Sequence, residues 1–282
     1  MKPMPFDYAR AKDVPDALAA LADADAGARV MAGGQSLVPM LNLRLATFPR
    51  VVDISKIAEL RERSESADAV TLGACVTHGE IEDGEAPEPA AGLMRHVAAG
   101  IAYRAVRNRG TIGGSASLAD ASADWVTTLL ALGARFIGRG PDGEREIAAP
   151  DMFLGPYFTA MTDQELLVRI VVPKTSRDAT WGYYKVTRRS GEYGLSIGAV
   201  ILDPAREHAS VVLGAASRTP LACTAAAAAL RGAPRWTEAL ETALRTAIAE
   251  DLARAERPFE PHEAIMVETT ILRAAAQALG VS

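Results

Sequence analysis

The 282-residue sequence holds only two cysteines, Cys75 and Cys223, and only four histidines. Two thiols cannot ligate an iron–sulfur cluster, which takes about four. The scattered histidines add no zinc pattern. Any metal the protein works with is therefore expected in another chain, and a disulfide between two such distant cysteines is not expected in a reducing compartment. No apolar run approaches the roughly 18 residues a membrane helix needs. The opening residues MKPMPFDYARAKD lack the apolar stretch and small-residue cleavage site of a signal peptide, so the chain is expected to be cytoplasmic. Basic residues are not in excess either. The net charge of −5 argues against a nucleic-acid partner, which needs a basic face.

What is present is a globular composition, long enough for two domains with separate cores. Residues 16–24 read as an amphipathic helix with Ala17, Leu18 and Leu21 inward and Pro15 suited to its first turn. Strands are expected at 29–32, 51–54 and 69–74, with a helix at 37–45. Thr77, with Glu80 three residues on, carries the capping-box signature of a helix start. Helices at 90–99 and 125–132 follow, then a hairpin of 135–138 with 144–147 around the turn Pro141-Asp142-Gly143. A strand at 166–172 ends at Pro173. The polar stretch 174–178 marks the boundary between a first domain, 1–175, with subdomains of about 1–56 and 57–175, and a second, 176–282. The second domain reads as strands at 181–187, 197–203 and 210–214 followed by helices, the whole being α+β. Leu240, Leu244, Ile248 and Leu252 form a helical stripe there, and the last helix covers 263–279.

Two segments pair glycines just ahead of a polar residue: Ala32-Gly33-Gly34-Gln35-Ser36 and Thr111-Ile112-Gly113-Gly114-Ser115. Paired glycines permit positive φ and remove Cβ, so successive backbone N–H groups can turn inward around an anion. Two such nests face to face suit a pyrophosphate, aided by the helices that follow. Gly-Gly pairs are also common turn punctuation. Neither segment is a dinucleotide fingerprint of the G-x-G-x-x-G kind, so the spacing alone leaves both readings open.

The wording around the pairs is more specific. AGGQSLVPMLNLRLATFP followed by VVDIS, and RNRGTIGGSASLADASADW, resemble the two flavin motifs of the FAD-binding medium subunits of molybdenum hydroxylases, the carbon monoxide dehydrogenase and xanthine dehydrogenase family. PYFTAM, ELLVRIVVP and YYKVTRRSGEYG match further landmarks of that family in order, so the resemblance covers nearly the whole chain. It implies a two-subdomain FAD-binding domain of the vanillyl-alcohol oxidase type. A C-terminal domain with a three-stranded antiparallel sheet and helices follows.

Carried over by position, the resemblance implies that Ala32, Gly33, Gly34, Gln35, Ser36 and Leu37, with Thr111, Ile112, Gly113, Gly114 and Ser115, hold the pyrophosphate of non-covalent FAD. Asp124 matches an acidic residue near the cofactor, Leu167 a position along the flavin, Lys185 a cofactor-side lysine and Tyr193 an aromatic that can cover the ring. On its own, Asp124 reads equally as an N-cap before Trp125. Lys185 reads equally as an outward strand residue, and Tyr193 as a loop aromatic. Ser115 departs from the family's commoner Asn, keeping a donor and an acceptor with shorter reach. His78 and Cys75 read as structural, and Arg107 and Arg109 as contacts to the chain's own loops or to a partner.

Function follows from the resemblance as an expectation. Electrons released at a molybdenum cofactor in a large subunit pass through two 2Fe–2S clusters of a small subunit to FAD here, then to NAD or another acceptor. The assembly expected is a dimer of heterotrimers, with no catalytic residue in this chain. Competing readings are a free-standing flavin oxidoreductase and an assembly subunit without flavin. The intact glycine pairs speak against the latter. Two cysteines exclude the extra iron–sulfur cluster of the aromatic acyl-CoA-reducing relatives.

Overall fold

The computed structural model describes residues 2–22 and 27–281. The expected end of the first helix, residues 23 and 24, lies outside them. The chain opens with β1 (Asp7–Arg10), α1 (Val14–Ala22), β2 (Ala28–Met31), α2 (Leu37–Asn42) and β3 (Arg50–Asp53). The three strands make a parallel sheet in the order β1-β3-β2. β1 is not visible in the sequence because every one of its residues is exposed, so no apolar alternation marks it. Pairing with β3 alone makes it a strand. α1 starts two residues ahead of expectation, where the Asp13 carboxylate accepts the Asp16 N–H at 2.8 Å. α2 stops short of residue 45, just before Arg44 enters the left-handed region at φ 57°.

The second unit comprises β4 (Arg63–Glu65), β5 (Ala69–Gly73), α3 (His78–Glu82), α4 (Leu93–Ala99), α5 (Arg104–Arg107), α6 (Ile112–Leu118), α7 (Asp124–Ala131), β6 (Arg135–Gly140), β7 (Gly143–Ala148), α8 (Ala149–Met152), β8 (Phe153–Gly155), β9 (Phe158–Thr159) and β10 (Leu166–Pro173). Its main sheet is antiparallel in the order β4-β5-β10-β6-β7. The Thr77–Glu80 capping box forms as the spacing requires, and the 135–148 hairpin closes with Gly140 opposite Gly143.

The last unit holds β11 (Thr180–Val186), β12 (Ser196–Asp203), β13 (His208–Gly214), β14 (Leu221–Ala222), α9 (Thr224–Leu230), α10 (Glu238–Ala253) and α11 (Pro261–Ala278). The three expected strands are joined by the two-residue β14 at the end of the antiparallel sheet β11-β12-β13-β14. Every residue of β12 is buried. Its alternate side chains go to opposite cores: Ile197, Ala199 and Ile201 pack with Trp125 and Leu129, whereas Val200 and Leu202 pack with Leu244, Ile248 and Ile271. One hydrophobic core therefore runs across residue 175. Among the described residues no helix is long and apolar enough to cross a membrane.

Candidate functional site

The two glycine segments meet. A Cβ on Gly33 would lie 2.0 Å from the Arg109 carbonyl oxygen and 2.9 Å from Gly110 Cα, and one on Gly114 would lie 3.7 Å from Ala32 Cβ. Gly33 is thus a close-approach glycine, and Gly34 is the residue that turns the first loop, at φ +73°. None of the Gly33, Gly34, Gln35 and Ser36 amides donates to another described residue. Ser36 occupies the N-cap position of α2 without using its side chain for capping. Gln35 is exposed and reaches back to the Gly33 carbonyl at 3.4 Å.

The second segment behaves differently from a nest. Neither Gly113 nor Gly114 has positive φ, since both lie in the first turn of α6. Their amides are taken. Ile112 donates to Val76 O and Gly113 to Ala74 O, each at 3.0 Å, Ser115 donates to Thr111 O at 3.0 Å, and Gly114 to the Thr111 hydroxyl at 3.0 Å. Here glycine serves packing: a Gly113 Cβ would fall 2.5 Å from Ala74 Cβ. The expectation of two facing amide nests is corrected to one amide loop opposite a Cβ-free helix turn. Ser115 Oγ makes no hydrogen bond to a described residue, which leaves its donor and acceptor available.

Asp124 is not an N-cap. Ala123 takes that position, and Asp124 opens α7 with its carboxylate buried. Tyr183 Oη donates to Asp124 Oδ1 at 2.6 Å, and Lys185 Nζ lies 2.8 Å from the same oxygen, with the two ionic side chains 11% and 6% exposed. Lys185 also donates to Gly100 O at 3.1 Å. Tyr183 and Lys185 are two apart on β11 and so share its face toward α7. Burial, then the Asp124 charge, push the Tyr183 phenol well above its ordinary value, so it remains a donor.

The family described as FAD binding domain in molybdopterin dehydrogenase matches residues 4–175. The chain belongs to this family. It is 33% identical over 286 residues to the carbon monoxide dehydrogenase medium chain of Afipia carboxidovorans, covering 99% of both chains. It is 37% identical over 212 residues to the nicotine 6-hydroxylase medium subunit of Paenarthrobacter nicotinovorans, covering 75% of this chain and 74% of the relative. A solved carbon monoxide dehydrogenase from Hydrogenophaga pseudoflava superposes with a TM-score of 0.90 at 31% identity, over 99% of each chain.

In this medium subunit the remaining sequence candidates are Leu167 and Tyr193. Leu167 is buried in β10. Its neighbour Val168 accepts the Ala74 N–H, and Ala74 in turn accepts that of Gly113. Tyr193 is 56% exposed. Desolvation, then the Asp120 charge, push that phenol up, with the Ser36 side chain opposing and Asp124 also raising it. Arg107 is bidentate to Glu82 and donates to the Ile101 and Ala102 carbonyls, in keeping with contacts to its own loops.

Two residues of this neighbourhood escape a linear reading, and a third, His78, is buried, in keeping with its structural reading. Tyr157, at φ +60°, donates its N–H to Ala119 O at 2.9 Å and its hydroxyl to Asp120 Oδ2 at 3.1 Å. Non-glycine residues at positive φ collect at functional sites, but nothing in PYFTAM announces the strain. Tyr183 had a usable signal, its two-residue offset from Lys185. His78 lies under the second glycine segment: it accepts from Trp125 Nε1 at Nδ1, 3.0 Å away, and its N–H donates to Gly110 O. Burial, then Arg107, lower its pKa to about 4.

Proposed function

We propose that this medium subunit is the FAD-carrying electron-transfer component of a heteromeric molybdenum hydroxylase. In this reading it works in a cytoplasmic dimer of heterotrimers with a molybdenum-binding large subunit and a 2Fe–2S small subunit. The observation that carries the reading is the set of unengaged amides from Gly33 to Ser36, turned by Gly34 and facing the Cβ-free surface of Gly114. Such a loop fits a pyrophosphate, because the N–H dipoles need an anionic acceptor once water leaves. Ala32–Leu37 would hold it, with Thr111–Ser115 closing the other side through bare backbone and the Ser115 hydroxyl.

Bound FAD supplies the redox chemistry, accepting single electrons and releasing a pair to NAD or another acceptor. The chain's own residues bind and orient it. Asp124 and Lys185 contribute a paired negative and positive charge beside the glycine segments. Tyr193 offers an exposed ring as cover, and Leu167, buried in β10, an apolar backing. Substrate choice belongs, in this reading, to the large subunit.

The test is the visible spectrum of the purified chain, with identification of any chromophore released on denaturation. Intact FAD is the expected result, and Gly114→Asp is expected to abolish its retention, because the new carboxylate would meet the pyrophosphate. A colourless chain that cannot be reconstituted with FAD would favour the assembly-subunit reading.

A further inference from the structure

The two groups that hold Asp124 act on one of its oxygens. Tyr183 Oη and Lys185 Nζ converge on Oδ1, at 2.6 and 2.8 Å. No described residue donates a hydrogen bond to Oδ2. The Asp124 side chain is 6% exposed, and Oδ2 is not among the fully buried side-chain atoms without a partner, which among the described residues are Thr127 Oγ1 and Ser196 Oγ. One carboxylate oxygen is committed and the other kept open. Lysine alone would not achieve this, because an ammonium is a point charge that accepts either oxygen as partner. A hydroxyl on a rigid ring is directional and distinguishes the two.

That ring is itself fixed by the last helix, α11, packed against β11. Tyr183 is 7% exposed, lies edge-on to His96 with centroids 5.9 Å apart, and donates its backbone N–H to Gln277 Oε1 at 3.0 Å. Gly182 brings β11 flush against α11, where a Cβ would fall 1.8 Å from Ala274 O. A contact anchored in the last helix thus determines the attitude of a carboxylate at the start of α7.

We propose that Tyr183 is a positioning residue of the FAD site, holding Asp124 so that Oδ2 stays available to a hydroxyl or N–H donor of the bound cofactor. The inference rests on the reading of the site as FAD-binding. It distinguishes Tyr183 from the residues expected to touch the cofactor themselves: Tyr183 acts through Asp124.

The experiment uses the full chain as wild type, Tyr183→Phe, Asp124→Asn and the double variant, each stripped of flavin and titrated with FAD. Kd from flavin fluorescence and the visible spectrum of the bound flavin are read, with the melting of each apo form as a folding control. Tyr183→Phe is expected to bind FAD about tenfold more weakly, with a shifted visible band. In the Asp124→Asn background it adds no further loss, because the oxygen it orients is gone. Gln277→Ala, outside the site, gives a second variant: it loosens Tyr183 and is expected to weaken FAD binding severalfold only when Asp124 is present. Unchanged affinity in Tyr183→Phe, or equal weakening in both backgrounds, overturns the positioning role while the FAD site stands. A wild-type chain that fails to bind FAD overturns both.

Discussion

Gly33 and Arg109 are in backbone contact: a Cβ on Gly33 would come within 2.0 Å of the Arg109 carbonyl oxygen. The amide loop ahead of α2 is thereby seated on the segment that leads into α6. Gly33→Ala must push the two apart. Overpacking of this kind costs about 2 kcal/mol, so thermal unfolding should shift down and FAD content should fall with it. A Gly33→Ala chain with wild-type melting and full flavin would contradict the contact.

Lys185 and Asp124 form an ion pair that is almost out of solvent. Lys185→Met leaves a buried carboxylate with the Tyr183 hydroxyl as its one remaining side-chain partner among the described residues. Denaturant unfolding should show a loss of about 3 kcal/mol, the scale for breaking such a pair from one side. The double variant with Asp124→Asn should recover part of that loss. If Lys185→Met unfolds with the same midpoint as wild type, the pair has no structural weight.

His78 yields a pH prediction. Its folded-state pKa, about 4, lies below the ordinary 6.5, so between those values the unfolded chain binds the extra proton and the native chain does not. Stability is then complete above pH 6.5 and declines as pH falls toward 4, by about 3 kcal/mol in all. His78→Gln should flatten that slope in chemical denaturation measured at pH 7 and pH 4.5. An unchanged slope would mean that other groups carry it.

Cys75 and Cys223 are both buried and free, and burial pushes each thiol up to about 12. Neither is a thiolate at neutral pH. A chromogenic disulfide reagent should therefore react with neither in the native chain and with both after denaturation. Rapid native modification at either position would refute the burial.

Local signals in the sequence translated well. The Thr77–Glu80 box, the turn at Pro141–Gly143 and the strand before Pro173 each depend on neighbouring residues, and each forms where the residue types require it. The first glycine pair was legible as a positive-φ turn for the same reason. β1 was not legible, because an exposed four-residue edge has no pattern of its own. The second pair's amides were not legible, because one is taken by the local Thr111 hydroxyl and the other by Ala74 O, which only folding brings near.

The residues at 32–37 and 111–115 belong to the sequence by itself, as do the family likeness they carry and the strand at 197–203. Tertiary structure alone decided what those residues do to one another. A carboxylate after Ala123 can cap a helix or leave it for a lysine and a tyrosine on another element. The choice depends on whether β11 passes within hydrogen-bond reach of α7. That distance is a property of sheet order and helix packing, set by contacts as remote as Gly182 against Ala274, and no local pattern encodes it.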